Sequence, residues 1–376
     1  MKPRILMIGR DPSIFSDNPV GDLHDRMKYY SSYHEYVYMT SLCNQHPITK
    51  QEDNVEYIGL SHNPILFLWE GFWELKKLSF HILNTQDPFL TGFLGWILKK
   101  YFWLFEKKSI PLVIDLHSEM IDNPVWIEER WYNWILNIIG KELLKRADAV
   151  RTVSPKLLSD MLKLSIPPHK VFFIPVGTNI QIKESVVKSI RSDNTILFVG
   201  RLVPQKNVQL LIKAFATLID EGYQYQLRIV GEGPEEENLE NLCQQLEVQN
   251  EVSFLGRLNE NDLNREYDTA TCLVLPSKHE GWGLVVIEAM AHGIPVVVSN
   301  AVRRVNPIIS ENTAMVSGDY EDALVDAILN VLIPENKEAT EIRVNNAKKA
   351  IKEYDITKTS EMKGRMFELI AGEMNG

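Results

Sequence analysis

The sequence predicts an α/β protein built from two doubly wound domains. Three observations lead there. Short apolar runs rich in β-branched residues alternate with stretches of helical period, the pattern of a parallel sheet covered by helices. The alternation stops in a polar, aperiodic stretch at 177–194 and then restarts. The length of 376 residues is ample for two domains of ordinary size.

In the first half the expected strands are 4–9, 35–40, 55–60, 80–85, 111–116, 149–154 and 171–176, with helical patterns such as 64–79 and 128–146 between them. Ser154 reads as an N-cap with Pro155 at the first helical position, and Asp87 reads either as facing the cleft or, as favoured, as the cap of a helix with Pro88 at its first position. The segment 177–194 reads as the linker, so 1–176 forms one domain. The second runs over 195–357, with strands at 195–200, 225–231, 252–256, 272–277, 294–300 and 313–317. Helices are expected at 207–221, 234–246, 260–270, from about 284, and at 320–332 and 337–353. A last helix, 358–373, falls in a terminal segment, 358–376, able to return to the first domain.

Charge and composition exclude several classes. The formal net charge is −10. Residues 1–170 hold about 20 basic and about 20 acidic side chains, so the second half carries the whole excess. An acidic chain of this kind is a poor nucleic-acid binder. Cys43, Cys243 and Cys272 form no motif, which fits a reducing compartment without a disulfide framework. The start, MKPRILMIGR, reads as a strand rather than a signal peptide, and 89–105 is too short and too charged to span a bilayer. The expected location is cytoplasmic. Every Trp except Trp282 lies between 69 and 134, near the pairs Lys76–Lys77, Lys99–Lys100 and Lys107–Lys108. This reads either as the packing of one domain or as a peripheral surface for lipid headgroups.

Ligands of doubly wound sheets bind off the carboxyl ends of the strands. The stretch 277–300 is the richest such place: Glu280, Gly281, Trp282 and Gly283 lie in a loop after one strand, and a helix starts near Leu284 with Glu288 inside it. The glycines admit a ligand to the backbone, and first-turn N–H groups suit an anion. Gly200, Arg201 and Lys206 end another strand and open another helix. Cations there oppose the helix dipole, a local conflict that tends to mark function. Gly231 opens a weak glycine turn, and Arg257 ends a short strand. In the first half His117 follows an apolar run by one residue, and Gly21 lies in a long polar loop after the first strand.

EGWGLVVIEAMAHGIPVV, with its E-x7-E spacing, resembles the donor-site signature of the retaining GT-B glycosyltransferases of family GT4. GRL-x-x-x-K at 200–206 is similar to that family's diphosphate clasp, and FLGRL at 254–258 to its base-recognition segment. The resemblance is strong over 195–300 and looser before. It implies two Rossmann-like domains facing across a cleft, and transfer of a hexose from a nucleoside-diphosphate sugar to a glycan or lipid-linked acceptor. By that resemblance Arg201 and Lys206 take the phosphate charge, Glu280 binds the hexose, Glu288 the ribose, and His117 the reacting sugar or acceptor. Gly200, Arg257, Gly281, Trp282, Gly283 and Leu284 would border the donor. Two departures stand out: Ser118 replaces an Asp common after the His, and Gly21 stands alone where two glycines are usual. No cofactor is implied beyond the nucleotide-sugar substrate. No metal is expected, since D-x-D, H-E-x-x-H and C-x-x-C are all missing from the sequence. The competing readings are an epimerase or sugar phosphorylase on the same scaffold, and a catalytically silent partner protein.

Overall fold

The computed structural model describes residues 2–15, 23–44, 46–178, 182 and 194–373. Two compact units emerge, one from residues up to 179 together with those from 356, the other from 180–355.

The first unit contains β1 (Arg4–Ile8), α1 (Leu23–Ser32), β2 (Tyr36–Leu42), β3 (Ile48–Glu52), β4 (Val55–Leu60), α2 (Pro64–Leu75), β5 (Ile82–Thr85) and α3 (Leu90–Phe105). It continues with β6 (Leu112–Leu116), α4 (Pro124–Glu129), α5 (Asn133–Arg146), β7 (Ala149–Thr152), α6 (Pro155–Lys163) and β8 (Val171–Phe173). Its sheet has the order β3-β4-β2-β1-β5-β6-β7-β8. All pairs are parallel except β3 with β4. The strand order reverses at β1, so the loops after β1, β5 and β6 converge there.

The second unit contains β9 (Thr195–Val199), α7 (Val208–Asp220), β10 (Gln226–Val230), α8 (Glu236–Gln245), β11 (Val252–Phe254), α9 (Glu260–Thr269) and β12 (Cys272–Leu275). It continues with α10 (Leu284–Ala291), β13 (Val296–Ser299), α11 (Asn300–Val305), β14 (Met315–Ser317), α12 (Glu321–Leu332) and α13 (Lys337–Ile351). Its sheet, all parallel, runs β11-β10-β9-β12-β13-β14. Here the order reverses at β9, between β10 and β12. Both units are Rossmann-like, the parallel α/β class that the periodicity predicts. Apart from Arg4 at the start of β1 the central strands are buried, because helices cover both faces.

Three local readings need correction. β3 was not expected, because ITKQE is polar. It is an exposed antiparallel edge strand, joined to β4 through Asp53 at φ 51°. Its fit depends on Gly59, where a Cβ would lie 2.6 Å from Ile48 Cγ2. The expected helix 128–146 is two helices, α4 and α5. Asn133 Nδ2 donates to Trp126 O at 2.6 Å and closes the corner between them. The helix expected over 64–79 stops at Leu75. By contrast, Ser154 caps α6, its Oγ accepting from the Leu157 N–H at 3.2 Å. Asp87 accepts from the Phe89 N–H at 2.7 Å, although α3 itself begins only at Leu90.

The last helix, α14 (Ile356–Glu373), packs beside α1 in the first unit. Met366, Phe367 and Ile370 join Ile5, Met7, Met27 and Val37 in its core. His34 is 4% exposed and meets the Phe367 ring edge-on at 5.4 Å. Burial pushes its pKa down to about 3. The unfolded chain therefore binds the extra proton between about pH 6.5 and 3. The stability from a neutral His34 is complete above that window and is lost as pH falls through it. In urea unfolding across pH 4 to 6, His34→Leu should flatten the slope by up to about 1.4 kcal/mol per pH unit.

Candidate active site

In the second unit the loops after β9 and β12 leave neighbouring strands at the point where the strand order reverses. Backbone contacts fix them to each other. The Lys278 N–H donates to Gln205 O at 2.8 Å, and Asn207 Nδ2 to Pro276 O at 3.4 Å. Lys206 ends a 3-10 turn, Pro204–Lys206, and Asn207 follows at φ 55° before α7 starts. This turn delivers the Lys206 ammonium to the Glu280 carboxylate, with which it forms an ion pair. Ser277 Oγ donates to the same Glu280 oxygen at 3.0 Å. Both charged side chains are mostly buried, so neither is a solvated surface group.

Gly283, at φ 76°, is the N-cap of α10, and no side chain caps the helix. In its first turn the Val286 N–H donates to Gly283 O at 3.0 Å. Glu288 lies in the second turn, where its Oε2 accepts from Tyr267 Oη at 2.8 Å. Close backbone approach explains the upstream glycines. A Cβ on Gly231 would lie 1.9 Å from Gly200 O, and one on Gly200 would lie 3.2 Å from the Phe198 ring. Arg201 and Arg257 are exposed on the loops after β9 and β11. Trp282 is 4% exposed and packs against Tyr354, so its ring belongs to the core of the unit rather than to a ligand surface. His292 ends α10 and contacts Asp268 and Asn264. Gly21 lies outside the described residues.

In the first unit His117 follows β6, with its ring 37% exposed. Behind it sits Asp115, wholly buried in β6. Asp115 Oδ2 accepts from Lys363 Nζ of α14 at 2.9 Å and from Arg151 Nη1 of β7 at 3.0 Å. Arg151 also donates to Ile174 O and Pro175 O. The two cations hold the Asp115 carboxyl well below the usual carboxylate range against the opposing effect of burial.

From Asp115 a chain of directed hydrogen bonds reaches His117. Asn84 Nδ2 donates to Asp115 Oδ1 at 2.8 Å, and Gln86 Nε2 donates to Asn84 Oδ1 at 3.1 Å. His117 Nε2 then lies 3.0 Å from Gln86 Oε1. A carboxylate only accepts, so Asp115 orients the Asn84 amide, which orients the Gln86 amide. Gln86 Oε1 therefore accepts, His117 Nε2 carries the proton, and Nδ1 holds the lone pair. Loss of water on the enclosed side of the ring and the Arg151 charge lower the His117 pKa, which favours the neutral ring. Ser277, Tyr267, Asn84, Gln86, Asp115, Arg151 and Lys363 were not foreseen. The one signal available was a charged residue inside each apolar run, Asp115 in PLVIDL and Arg151 in AVRTVS.

Comparison with known proteins shows the family and the fold. The model of glycosyl transferases group 1 matches residues 180–350, and that of Glycosyltransferase Family 4 matches 51–182. An uncharacterized glycosyltransferase of Haemophilus influenzae is 34% identical over 276 residues, covering 67% of this chain and 73% of that protein. The fold is also that of sucrose-phosphate synthase from Thermosynechococcus elongatus, with a TM-score of 0.81 at 20% identity over 98% of this chain and 99% of that one. Anabaena HepE, solved with UDP-glucose, superposes with a TM-score of 0.76 at 17% identity over 97% and 99% of the two chains. The fold is thus GT-B. The chain belongs to the group 1 glycosyltransferases.

The hydrogen-bond chain makes a spectroscopic prediction. In wild type, the His117 imidazole signals should not titrate between pH 5 and 8. Gln86→Glu puts a carboxylate beside Nε2 and should bring the His117 pKa up into that window. Histidine ring proton NMR reads both outcomes.

Proposed function

We propose that this glycosyltransferase moves a hexose from a nucleoside-diphosphate sugar to a glycan or lipid-linked acceptor, with retention at the anomeric carbon and without a metal ion. The observation that carries this reading is the Lys206–Glu280 ion pair on loops fixed beside the uncapped start of α10. Breaking a sugar–phosphate bond leaves negative charge on the diphosphate. Lys206, exposed Arg201 and the N–H groups after Gly283 offer it positive charge, and such charge-assisted bonds are the strong kind. Once the diphosphate draws Lys206, Glu280 is released to accept from hexose hydroxyls. Glu288, oriented by Tyr267, would accept from the ribose hydroxyls. The UDP-glucose bound by HepE supports a nucleotide sugar as donor.

On this reading neutral His117 hydrogen-bonds the sugar or acceptor rather than acting as an acid. Front-face attack assisted by the leaving phosphate is the mechanism the scaffold suits. An epimerase, a phosphorylase or a silent partner would use the same scaffold differently. Product analysis separates them, because transfer alone requires an acceptor.

A lipid-linked acceptor is supported by the surface of the first unit. Helix α3 packs beside both α2 and α5, and all three turn aromatic residues outward. Trp69 is 63% exposed, Trp103 58% and Trp131 79%. Lys76 Nζ sits 3.4 Å from the Trp73 ring centre, and Lys100 Nζ 5.5 Å from that of Trp103. Tryptophan and lysine together suit an anionic headgroup layer. No described helix is long and apolar enough to cross a membrane. A peripheral position at the cytoplasmic face fits both facts.

Two measurements test these statements. In a thermal-shift panel of UDP, GDP, ADP and CDP, one nucleotide at a hundred times its dissociation constant should stabilise wild type by roughly 2.7 kcal/mol. Lys206→Ala should lose that shift, and no response to any of the four would reject the donor site. In flotation at low salt, wild type should rise with anionic liposomes. A Trp69→Ser/Trp103→Ser/Trp131→Ser variant should stay behind, and equal behaviour of the two would reject the membrane surface.

A further inference from the structure

The two carboxylate oxygens of Glu280 have different surroundings. Oε1 accepts from both Lys206 Nζ and Ser277 Oγ, whereas Oε2 has no hydrogen-bond partner among the described residues. A carboxylate only accepts, so Ser277 is the donor in its bond. Ser277 is wholly buried, and its hydroxyl has no water to turn to. Its backbone is held as well. β12 and β13 pair as far as Leu275 and Val298, and just beyond them Ser299 Oγ donates to Ser277 O at 2.5 Å. Ser299 is in turn the N-cap of α11, its Oγ accepting from the Val302 N–H. The hydroxyl that reaches Glu280 is therefore fixed from the neighbouring strand.

Lys206 and Ser277 share one oxygen, but a diphosphate competes for them unequally. It draws the ammonium, which carries the charge, far more than a buried neutral hydroxyl. The Glu280 side chain is only 8% exposed, and a carboxylate so enclosed is costly to leave without a donor once its cation has moved. Ser277 is the donor that stays.

We propose that Ser277 is a positioning residue: when the diphosphate draws Lys206 away, the Ser277 hydroxyl keeps Glu280 Oε1 in place, and Oε2 is the oxygen left to accept from the sugar. This role rests on the donor reading above and adds to it the group that holds the carboxylate in the loaded site. Without that bond the Glu280 side chain is free to change rotamer, and its carboxylate meets the sugar in only a fraction of the molecules. Ser277 acts through Glu280, so its loss is felt where a sugar is present and not where a bare diphosphate is.

The test is a calorimetric titration of the full chain with matched probes: UDP with UDP-glucose, UDP-galactose and UDP-N-acetylglucosamine, GDP with GDP-mannose, and ADP with ADP-glucose. For the pair that wild type binds, Ser277→Ala should weaken the sugar nucleotide roughly tenfold and the bare diphosphate by less than about twofold, because a bond to a charged acceptor is lost while the lysine is kept. The retained diphosphate affinity shows that the variant is folded, and alanine keeps the carbonyl that Ser299 holds. In Glu280→Ala the serine has no carboxylate to hold, so adding Ser277→Ala should cost the sugar nucleotide nothing further. A serine needed only for folding would instead weaken both ligands, or add its loss to that of Glu280→Ala. The role of Ser277 is overturned if Ser277→Ala binds the sugar nucleotide like wild type, if it loses the diphosphate equally, or if the two losses add. In each of these cases the donor site stands, since wild type still binds the pair. Wild type that binds a diphosphate but none of its sugar conjugates overturns the role of Ser277 and keeps the diphosphate clasp. Wild type that binds none of the probes rejects the donor reading and the role of Ser277 with it.

Discussion

Asp115 is one wholly buried carboxylate facing two buried cations, and the first unit is arranged around that imbalance. Lys363 comes from the last helix and Arg151 from the next strand, so three distant parts of the chain meet at one oxygen. Removing such a partner leaves a buried charge uncompensated, which typically costs about 3–5 kcal/mol. The cluster therefore specifies where α14 docks as well as stabilising it. The apolar contacts of Met366 and Phe367 supply area, whereas the ion cluster supplies register. The other Asp115 oxygen begins the hydrogen-bond chain that sets the His117 tautomer. One carboxylate thus links the position of a terminal helix to the protonation of a ring in the site.

The second unit solves a different problem with similar means. Lys206 and Glu280 lie seventy-four positions apart in sequence yet form a mostly buried pair. A sheet whose order reverses at β9 makes this possible, because β9 and β12 are neighbours and their loops emerge side by side. Gly231 allows the close backbone approach to Gly200, and Gly283 supplies the left-handed turn that opens α10. The pair holds a cation and a carboxylate side by side at the carboxyl ends of the strands. Preorganised charge of this kind costs no rearrangement of the backbone when the ligand arrives.

The exposed aromatic helices of the first unit stand apart from both clusters. Burying Trp69, Trp103 and Trp131 inside the unit would have satisfied the hydrophobic effect, yet α2 presents Trp69 outward, α3 presents Trp103 beside Lys100, and Trp131 is exposed in the turn before α5. Meanwhile Trp282, which the sequence pattern placed at the donor, is inside. Residue type alone does not decide exposure for tryptophan, which has both an apolar body and a polar N–H.

The sequence by itself determined the architecture and the family. Alternating apolar runs and helical periods are local properties, so nearly every parallel strand was legible, as was the Ser154 cap. The E-x7-E stretch and Lys206 were legible because glycine and charge at strand ends are unusual without a ligand to explain them. The polar edge strand β3 was not, since an edge needs no apolar pattern to pair. The break between α4 and α5 was not, since a side chain bonded across the corner makes it. What only the tertiary structure decided are the long-range meetings: Lys206 with Glu280, Tyr267 with Glu288, and Arg151 and Lys363 on Asp115. These depend on strand order and on the return of α14, and neither leaves a periodic trace in the chain. A buried charge in an apolar run signals that a partner exists, but only the fold says which residue it is.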